Sequence, residues 1–128
     1  MAKSAPLLAV VDDDADVRVA LMRLVSSVGF AAETFASGTE FLRSVQDHEP
    51  DCVLLDLHMP EMSGFDVQVA LARAHPTVPV VVMTGHDTPE SRARAVQMGA
   101  KVYLRKPIND AALLVAIGDA IGGVSPST

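Results

Sequence analysis

A chain of 128 residues with 49% hydrophobic content has material for one domain with a proper buried core. Its net charge of −6 and pI near 5.0 deny it the basic face that phosphate backbones require, so direct nucleic-acid binding is not expected. No apolar stretch approaches a membrane span, the N-terminus lacks a signal-peptide pattern, and the lone Cys52 fits a small buried thiol in a reducing, cytoplasmic setting.

Apolar runs and amphipathic stretches alternate five times, which predicts a parallel sheet covered on both faces. The first strand, 7–11, is Leu7-Leu8-Ala9-Val10-Val11 and runs straight into Asp12-Asp13-Asp14. A helix over 15–28 follows, with Asp14 as its N-cap, Val17, Leu21, Leu24 and Val28 inward, and Gly29 closing it. The second strand, 30–34, is the weakest, because Phe30-Ala31-Ala32-Glu33-Thr34 has little β-branched content. The second helix covers 38–48 with Phe41, Leu42 and Val45 inward. The third strand, 51–56, is the apolar run Cys52-Val53-Leu54-Leu55 ending in Asp56, and Met59-Pro60-Glu61-Met62-Ser63-Gly64 opens a turn. The third helix, 64–74, places Phe65, Val69 and Ala72 on one face.

A fourth strand, 79–84, ends at Thr84-Gly85. The fourth helix begins with Thr88 as N-cap and Pro89 at its first position, and Gly99 lies past its end. Its apolar stripe is thin (Ala93, Val96, and Ala95 or Met98), so loose docking is expected. The fifth strand, 101–105, ends at Lys106-Pro107, and a helix over 110–121 behind Asn109 offers Leu113, Leu114, Ile117 and Ile121. One domain therefore covers 1–121, and 122–128 reads as a flexible tail or truncated linker.

Strands that end in carboxylates put acids at the sheet edge where open α/β folds bind ligands. In a doubly wound sheet the first and third strands are neighbours where the order reverses, which gathers Asp12, Asp13 and Asp56. Three carboxylates in one small site need protonation or a hard cation to offset their repulsion. Mg²⁺, which takes one or two carboxylates plus waters and phosphate oxygens, meets that need. The hydroxyl of Thr84, the open backbone at Gly85 and the ammonium of Lys106 reach the same edge. The set is matched to phosphoryl transfer onto a carboxylate, with metal and lysine neutralising the charge.

Four blocks at correct spacing carry a resemblance: Val11-Asp12-Asp13-Asp14, Leu55 to Gly64, Met83-Thr84-Gly85-His86 and Tyr103-Leu104-Arg105-Lys106-Pro107. The chain resembles the receiver domain of two-component response regulators, similar to the chemotaxis regulator, over all but its termini. The resemblance implies a flavodoxin-like α/β fold with strand order 2-1-3-4-5 and five helices. It implies a signalling module, not an enzyme, with Asp56 the phosphoacceptor and a histidine kinase or phosphotransfer protein as donor. Asp13 would bind Mg²⁺ directly, Asp12 partly through water, with Asp56 and the backbone carbonyl of His58 completing the ligands. Thr84 and Lys106 would hold the phosphoryl group, Tyr103 would be the rotamer switch, and Lys106–Pro107 would be cis. Output would pass through the face of the fourth helix, fifth strand and fifth helix to a second copy or an output domain. Ile108 stands where many members carry Phe. His58 and His86 occupy the variable positions that tune phosphoryl lifetime in the family.

Other readings are weaker. Asp12, Asp14 and Asp16 have the spacing of a calcium loop, but Val17 and Arg23 replace its Gly and Glu. The four His residues offer no pair at ligand spacing on one face, so no zinc site is expected, and His48 and His75 read as solvated or capping. A small Mg²⁺-dependent phosphatase with an Asp nucleophile remains the alternative, although Asp16 stands where that motif wants Thr or Val. A flavin or dinucleotide module would need a Gly-rich loop after the first strand, where three Asp stand instead.

Overall fold

Strands β1 (Leu7–Val11), β2 (Ala31–Phe35), β3 (Cys52–Asp56), β4 (Val80–Thr84) and β5 (Ala100–Arg105) pair in parallel in the order β2-β1-β3-β4-β5. The computed structural model describes residues 5–122. Four helices connect the strands, α1 (Ala15–Ser27), α2 (Gly38–Val45), α3 (Gly64–Ala74) and α4 (Pro89–Gln97), and α5 (Asp110–Ala120) follows β5. The expected fold class, flavodoxin-like with strand order 2-1-3-4-5, is the fold observed. From residue 123 onward the expected tail lies outside the described residues.

β3 and β4 are buried at every position because both of their faces are covered. Alternation along the strands sorts their side chains into two cores. Val11, Val53, Leu55 and Val82 pack with Phe41, Val67, Leu71 and Ala95 from α2, α3 and α4. Leu8, Val10, Leu54 and Met83 pack on the other face with Leu21, Val25, Leu113 and Ile117 from α1 and α5. Cys52 lies in this second core, and burial, followed by the charge of Asp51, pushes its thiol up to about 12. It is a packing residue, inert toward oxidation by ordinary thiol chemistry.

Several boundaries and faces differ from the sequence expectation. β2 starts at Ala31, because the Phe30 N–H is used to close α1 through the Val25 carbonyl, while Gly29 takes φ 98°. α2 stops at Val45; the N–H groups of Asp47 and His48 both turn back to the Ser44 carbonyl. On α3 the buried face runs through Phe65, Val67, Gln68 and Leu71, whereas Ala72 is exposed and Val69 only half-buried. On α4, Ala95 is buried and Ala93 and Val96 are exposed. Gln68 Nε2 donates to the Ala95 carbonyl at 3.0 Å, fastening the last turn of α4 to α3 through a buried polar contact. Beside the buried Ala95, α4 is thus held by polar and cationic contacts, this hydrogen bond and the Arg94 guanidinium 4.2 Å over the Phe65 ring, which no apolar stripe could reveal. Lys106–Pro107 is cis. His75 is the C-cap of α3 and His48 is half exposed, as expected, and their rings also pair with Glu49 and Glu33 at 2.6 and 2.8 Å.

Candidate functional site

The sheet order reverses between β1 and β3, and their C-terminal ends open the crevice characteristic of such folds. Asp12 follows β1 and is fully buried, its N–H donating to the Phe35 carbonyl at 3.1 Å. Its Oδ1 accepts the Asp14 N–H at 2.9 Å, and its Oδ2 accepts Lys106 Nζ at 2.7 Å. Asp13 is exposed beside it. Asp56 ends β3, is 3% exposed, and accepts the His58 N–H on Oδ1 at 3.4 Å. Lys106 Nζ lies 3.4 Å from the same oxygen. One carboxylate oxygen from each of Asp12, Asp13 and Asp56 lies within 4.8 Å of the others.

This arrangement sets the protonation of the site. Burial, then the charge of Asp12, pushes the Asp56 carboxyl up to about 6, although Lys106 and the His58 N–H oppose the rise. Burial works against the Lys106 ammonium, but its hydrogen bond to Asp12 and the charges of Asp56 and Asp12 outweigh it and hold its pKa above the ordinary lysine value. One cation therefore compensates two buried anions, and a net negative charge is left for a further cation to neutralise. Clustered oxygens of this kind fit Mg²⁺, which is small, hard and satisfied by few carboxylates.

Two neighbouring loops complete the edge. Thr84, fully buried at the end of β4, accepts the His86 N–H on Oγ1 at 3.0 Å, and its carbonyl accepts the Lys106 N–H at 2.8 Å. The hydroxyl proton is left free to be donated elsewhere. On β5 the Tyr103 ring packs against the core beneath α4, and its Oη is buried without a hydrogen-bond partner. Burial, then the nearby Asp87 carboxylate, raises its phenol pKa. The Arg92 guanidinium lies 5.0 Å over the ring and 3.2 Å from Asp87, tying the first turn of α4 to Tyr103.

The profile of the response regulator receiver domain matches residues 8–118. The chain belongs to this family. It is 36% identical over 121 residues to the response regulator protein TodT of Pseudomonas putida, an alignment covering 94% of this chain and 53% of TodT. The DNA-binding transcriptional regulator NtrC of Klebsiella pneumoniae is 38% identical over 108 residues, covering 83% of this chain and 23% of NtrC. The chain thus spans about half the length of TodT and about a quarter of that of NtrC. A receiver protein from Burkholderia phymatum superposes with a TM-score of 0.83 at 44% identity, covering 94% of this chain and 98% of that one. A CheY-like receiver domain from Methanospirillum hungatei matches in fold, with a TM-score of 0.88 at 24% identity over 92% and 94% of the two chains.

The structure gathers Asp12, Asp13, Asp56 and Lys106, puts Thr84 at the neighbouring strand end and sets Tyr103 apart beneath α4; two further features were missed in the sequence. Gly64 sits with its N–H on the Leu57 carbonyl at 2.9 Å and its Cα against the backbone of Asp56. A glycine eight residues beyond an acid at a strand end is a signal that could have found it. His58 and His86, which offer no pair at ligand spacing on one face, bring their rings to a centroid separation of 5.0 Å. They come from different loops, so spacing along one helix face could not reveal them.

Proposed function

We propose that this receiver accepts a phosphoryl group on Asp56 and uses it to change the face made by α4, β5 and α5. The observation carrying this reading is Lys106 Nζ lying 2.7 Å from Asp12 and 3.4 Å from Asp56, at the edge of the three-carboxylate cluster. A structural ion pair would need one acid; this lysine is shared by the acceptor and a neighbour. The donor is a histidine kinase or a phosphotransfer protein carrying phosphohistidine. The Asp56 carboxylate oxygen attacks phosphorus, the P–N bond breaks, and its electron pair leaves with the imidazole, which takes up a proton.

Asp12, Asp13, Asp56 and the His58 carbonyl would hold Mg²⁺, which supplies charge neutralisation to the phosphoryl oxygens when bound. Asp56 stays largely ionised at neutral pH because its carboxyl is raised only to about 6. Lys106 exchanges part of its contact with Asp56 for a phosphoryl oxygen, and Thr84 donates its free hydroxyl proton to another. Drawing Thr84 inward moves the segment entering α4, and Tyr103, packed beneath α4 with no partner for its hydroxyl, repacks with it. Val96 on α4 and Val115 on α5 are 57% and 64% exposed, offering apolar contact on the proposed output face. The receiving partner is an output domain or a second copy, and partner affinity changes by a coupling energy of about 1–3 kcal/mol.

The chain acts in this reading as a cytoplasmic signalling module that catalyses only its own phosphorylation and dephosphorylation. Among the described residues no helix is long and apolar enough to cross a membrane. A Mg²⁺-dependent phosphatase would instead turn over an external phosphomonoester. Incubation with Mg²⁺ and a small acyl-phosphate donor tests the proposal: wild type gains the mass of one phosphoryl group and Asp56→Asn gains none. Steady hydrolysis of a phosphomonoester without a protein-bound intermediate would instead support the phosphatase.

A further inference from the structure

His58, in the β3–α3 segment, and His86, in the β4–α4 segment, are both exposed, and their rings meet edge to face at an interplanar angle of 84°. Their backbone N–H groups are occupied, on Asp56 and Thr84, but no ring nitrogen of either makes a hydrogen bond among the described residues. His48 and His75 differ, one nitrogen of each ring being paired with a carboxylate. Two free imidazoles converging from separate loops are a donor set in search of an electrophile. A divalent ion of borderline softness prefers imidazole nitrogen, whereas Mg²⁺ does not.

The spacing fits such an ion. A metal–nitrogen bond of about 2.0–2.1 Å places the ion roughly 3.2 Å from each ring centroid, and a tetrahedral angle then separates the centroids by about 5.2 Å. The observed separation is 5.0 Å. Both rings are exposed, and χ2 is a broad sp³–sp² torsion, so each ring is free to turn a nitrogen toward a shared ion at little cost. We infer that His58 and His86 form a second cation site, at the rim of the acidic crevice, that takes Zn²⁺, Ni²⁺ or Cu²⁺ with water in its open positions. The carboxylate cluster and the imidazole pair thereby divide hard from borderline cations. An ion bridging the two loops restrains the segment that follows Thr84, so it slows the switch; this consequence alone rests on the function proposed above.

The test is calorimetric titration of Zn²⁺ into the full chain held in saturating Mg²⁺, with assigned imidazole resonances followed by NMR. Saturable binding should shift the His58 and His86 resonances together, leaving His48 and His75 in place. His58→Asn and His86→Ala should each weaken Zn²⁺ at least about tenfold. The Mg²⁺ affinity of His86→Ala, a residue outside the Mg²⁺ ligand set, is measured in parallel and shows that this variant remains folded with the acidic site formed. Asp13→Asn should weaken Mg²⁺ and spare Zn²⁺. Zn²⁺ affinity unchanged by either His substitution, binding that follows Asp13 instead, or no saturable binding would each overturn the inference and leave two rings that merely pack together. Because Zn²⁺ binding is read without phosphorylation, its failure is distinct from failure of Asp56 as acceptor.

Discussion

Gly64→Ala should damage stability and phosphorylation together, because a Cβ at this position has nowhere to go. It would lie 2.4 Å from the Asp56 carbonyl oxygen, 2.7 Å from Leu57 Cα and 3.0 Å from the Asp56 carbonyl carbon. All three are backbone atoms at the end of a fully buried strand, so no side chain can rotate away. Relief requires the α3 N-terminus and the Asp56 backbone to part by roughly 0.8 Å, and overpacking of this kind costs about 1–3 kcal/mol. The Gly64 N–H bond to Leu57, 2.9 Å long, is stretched in the process, adding about 1 kcal/mol. Removing glycine from the unfolded chain returns only about 0.4–1 kcal/mol. A net loss of about 1–3.5 kcal/mol, with an unfolding entropy near 0.27 kcal/mol/K for a domain this size, lowers Tm by about 4–13 °C. Displacing the acceptor by most of an ångström should also slow acyl-phosphate labelling by about 10–100-fold. Gly38→Ala is the control: its Cβ would meet Val67 Cγ2 at 2.6 Å and Met62 Sδ at 2.9 Å, both side-chain atoms. It should cost less and leave labelling near normal. Thermal melts and labelling time courses decide the matter; a Gly64→Ala protein melting within about 2 °C of wild type and labelling at its rate would refute the reasoning.

Three further outcomes follow from the buried polar groups. In EDTA, stability should fall as pH rises from about 4 to 6, since the unfolded Asp56 ionises at its ordinary 3.8 while the folded group holds its proton to about 6. Asp56→Asn escapes this penalty and should be more stable than wild type by about 1–3 kcal/mol at pH 7.5, the gain fading near pH 4; an equal gap at both pH values in urea melts contradicts it. Lys106→Met leaves the buried Asp12 without its cation and should cost about 2–4 kcal/mol in urea unfolding, with Asp12→Asn recovering part of the loss in the same background. Gln68→Ala strands the Ala95 carbonyl and opens a cavity, so unfolding should be easier by about 2–4 kcal/mol and hydrogen exchange in α4 should quicken; unchanged exchange there would show that α4 is held by other means.

The sheet was legible in the sequence because parallel strands buried on both faces read as continuous apolar runs, and each of those runs ends in the residue that lines the crevice. Asp12, Asp56 and Thr84 could be placed without coordinates for that reason, whereas Lys106 follows the half-buried edge strand β5 and was placed by the Lys106-Pro107 pair that ends it. β2 was the least certain strand and the one displaced, since Phe30 serves the end of α1, a hydrogen-bonding role that hydropathy does not encode. The inward face of α3 was misread for a related reason. Gln68 is polar yet 1% exposed, because it satisfies a carbonyl of α4. A pattern of apolar residues passes over such a residue and recruits Ala72 in its place. His58 and His86 show the remaining limit, for their meeting is a property of two loops on adjacent strands and has no periodicity to detect. Gly64 lay in plain sight within a quoted block, but the backbone it must accommodate is visible only once β3 and α3 are packed.

The most direct test of the account is to locate the phosphoryl group. Wild-type protein labelled with a small acyl-phosphate donor and Mg²⁺ is reduced with borohydride, which converts an aspartyl phosphate to homoserine, and its peptides are sequenced by mass spectrometry. The account predicts homoserine at position 56, absent when Mg²⁺ or donor is omitted and strongly diminished in Lys106→Met. Reduction at Asp12 or Asp13 instead, or stable phosphate on a serine, threonine or histidine with Asp56 intact, would contradict it.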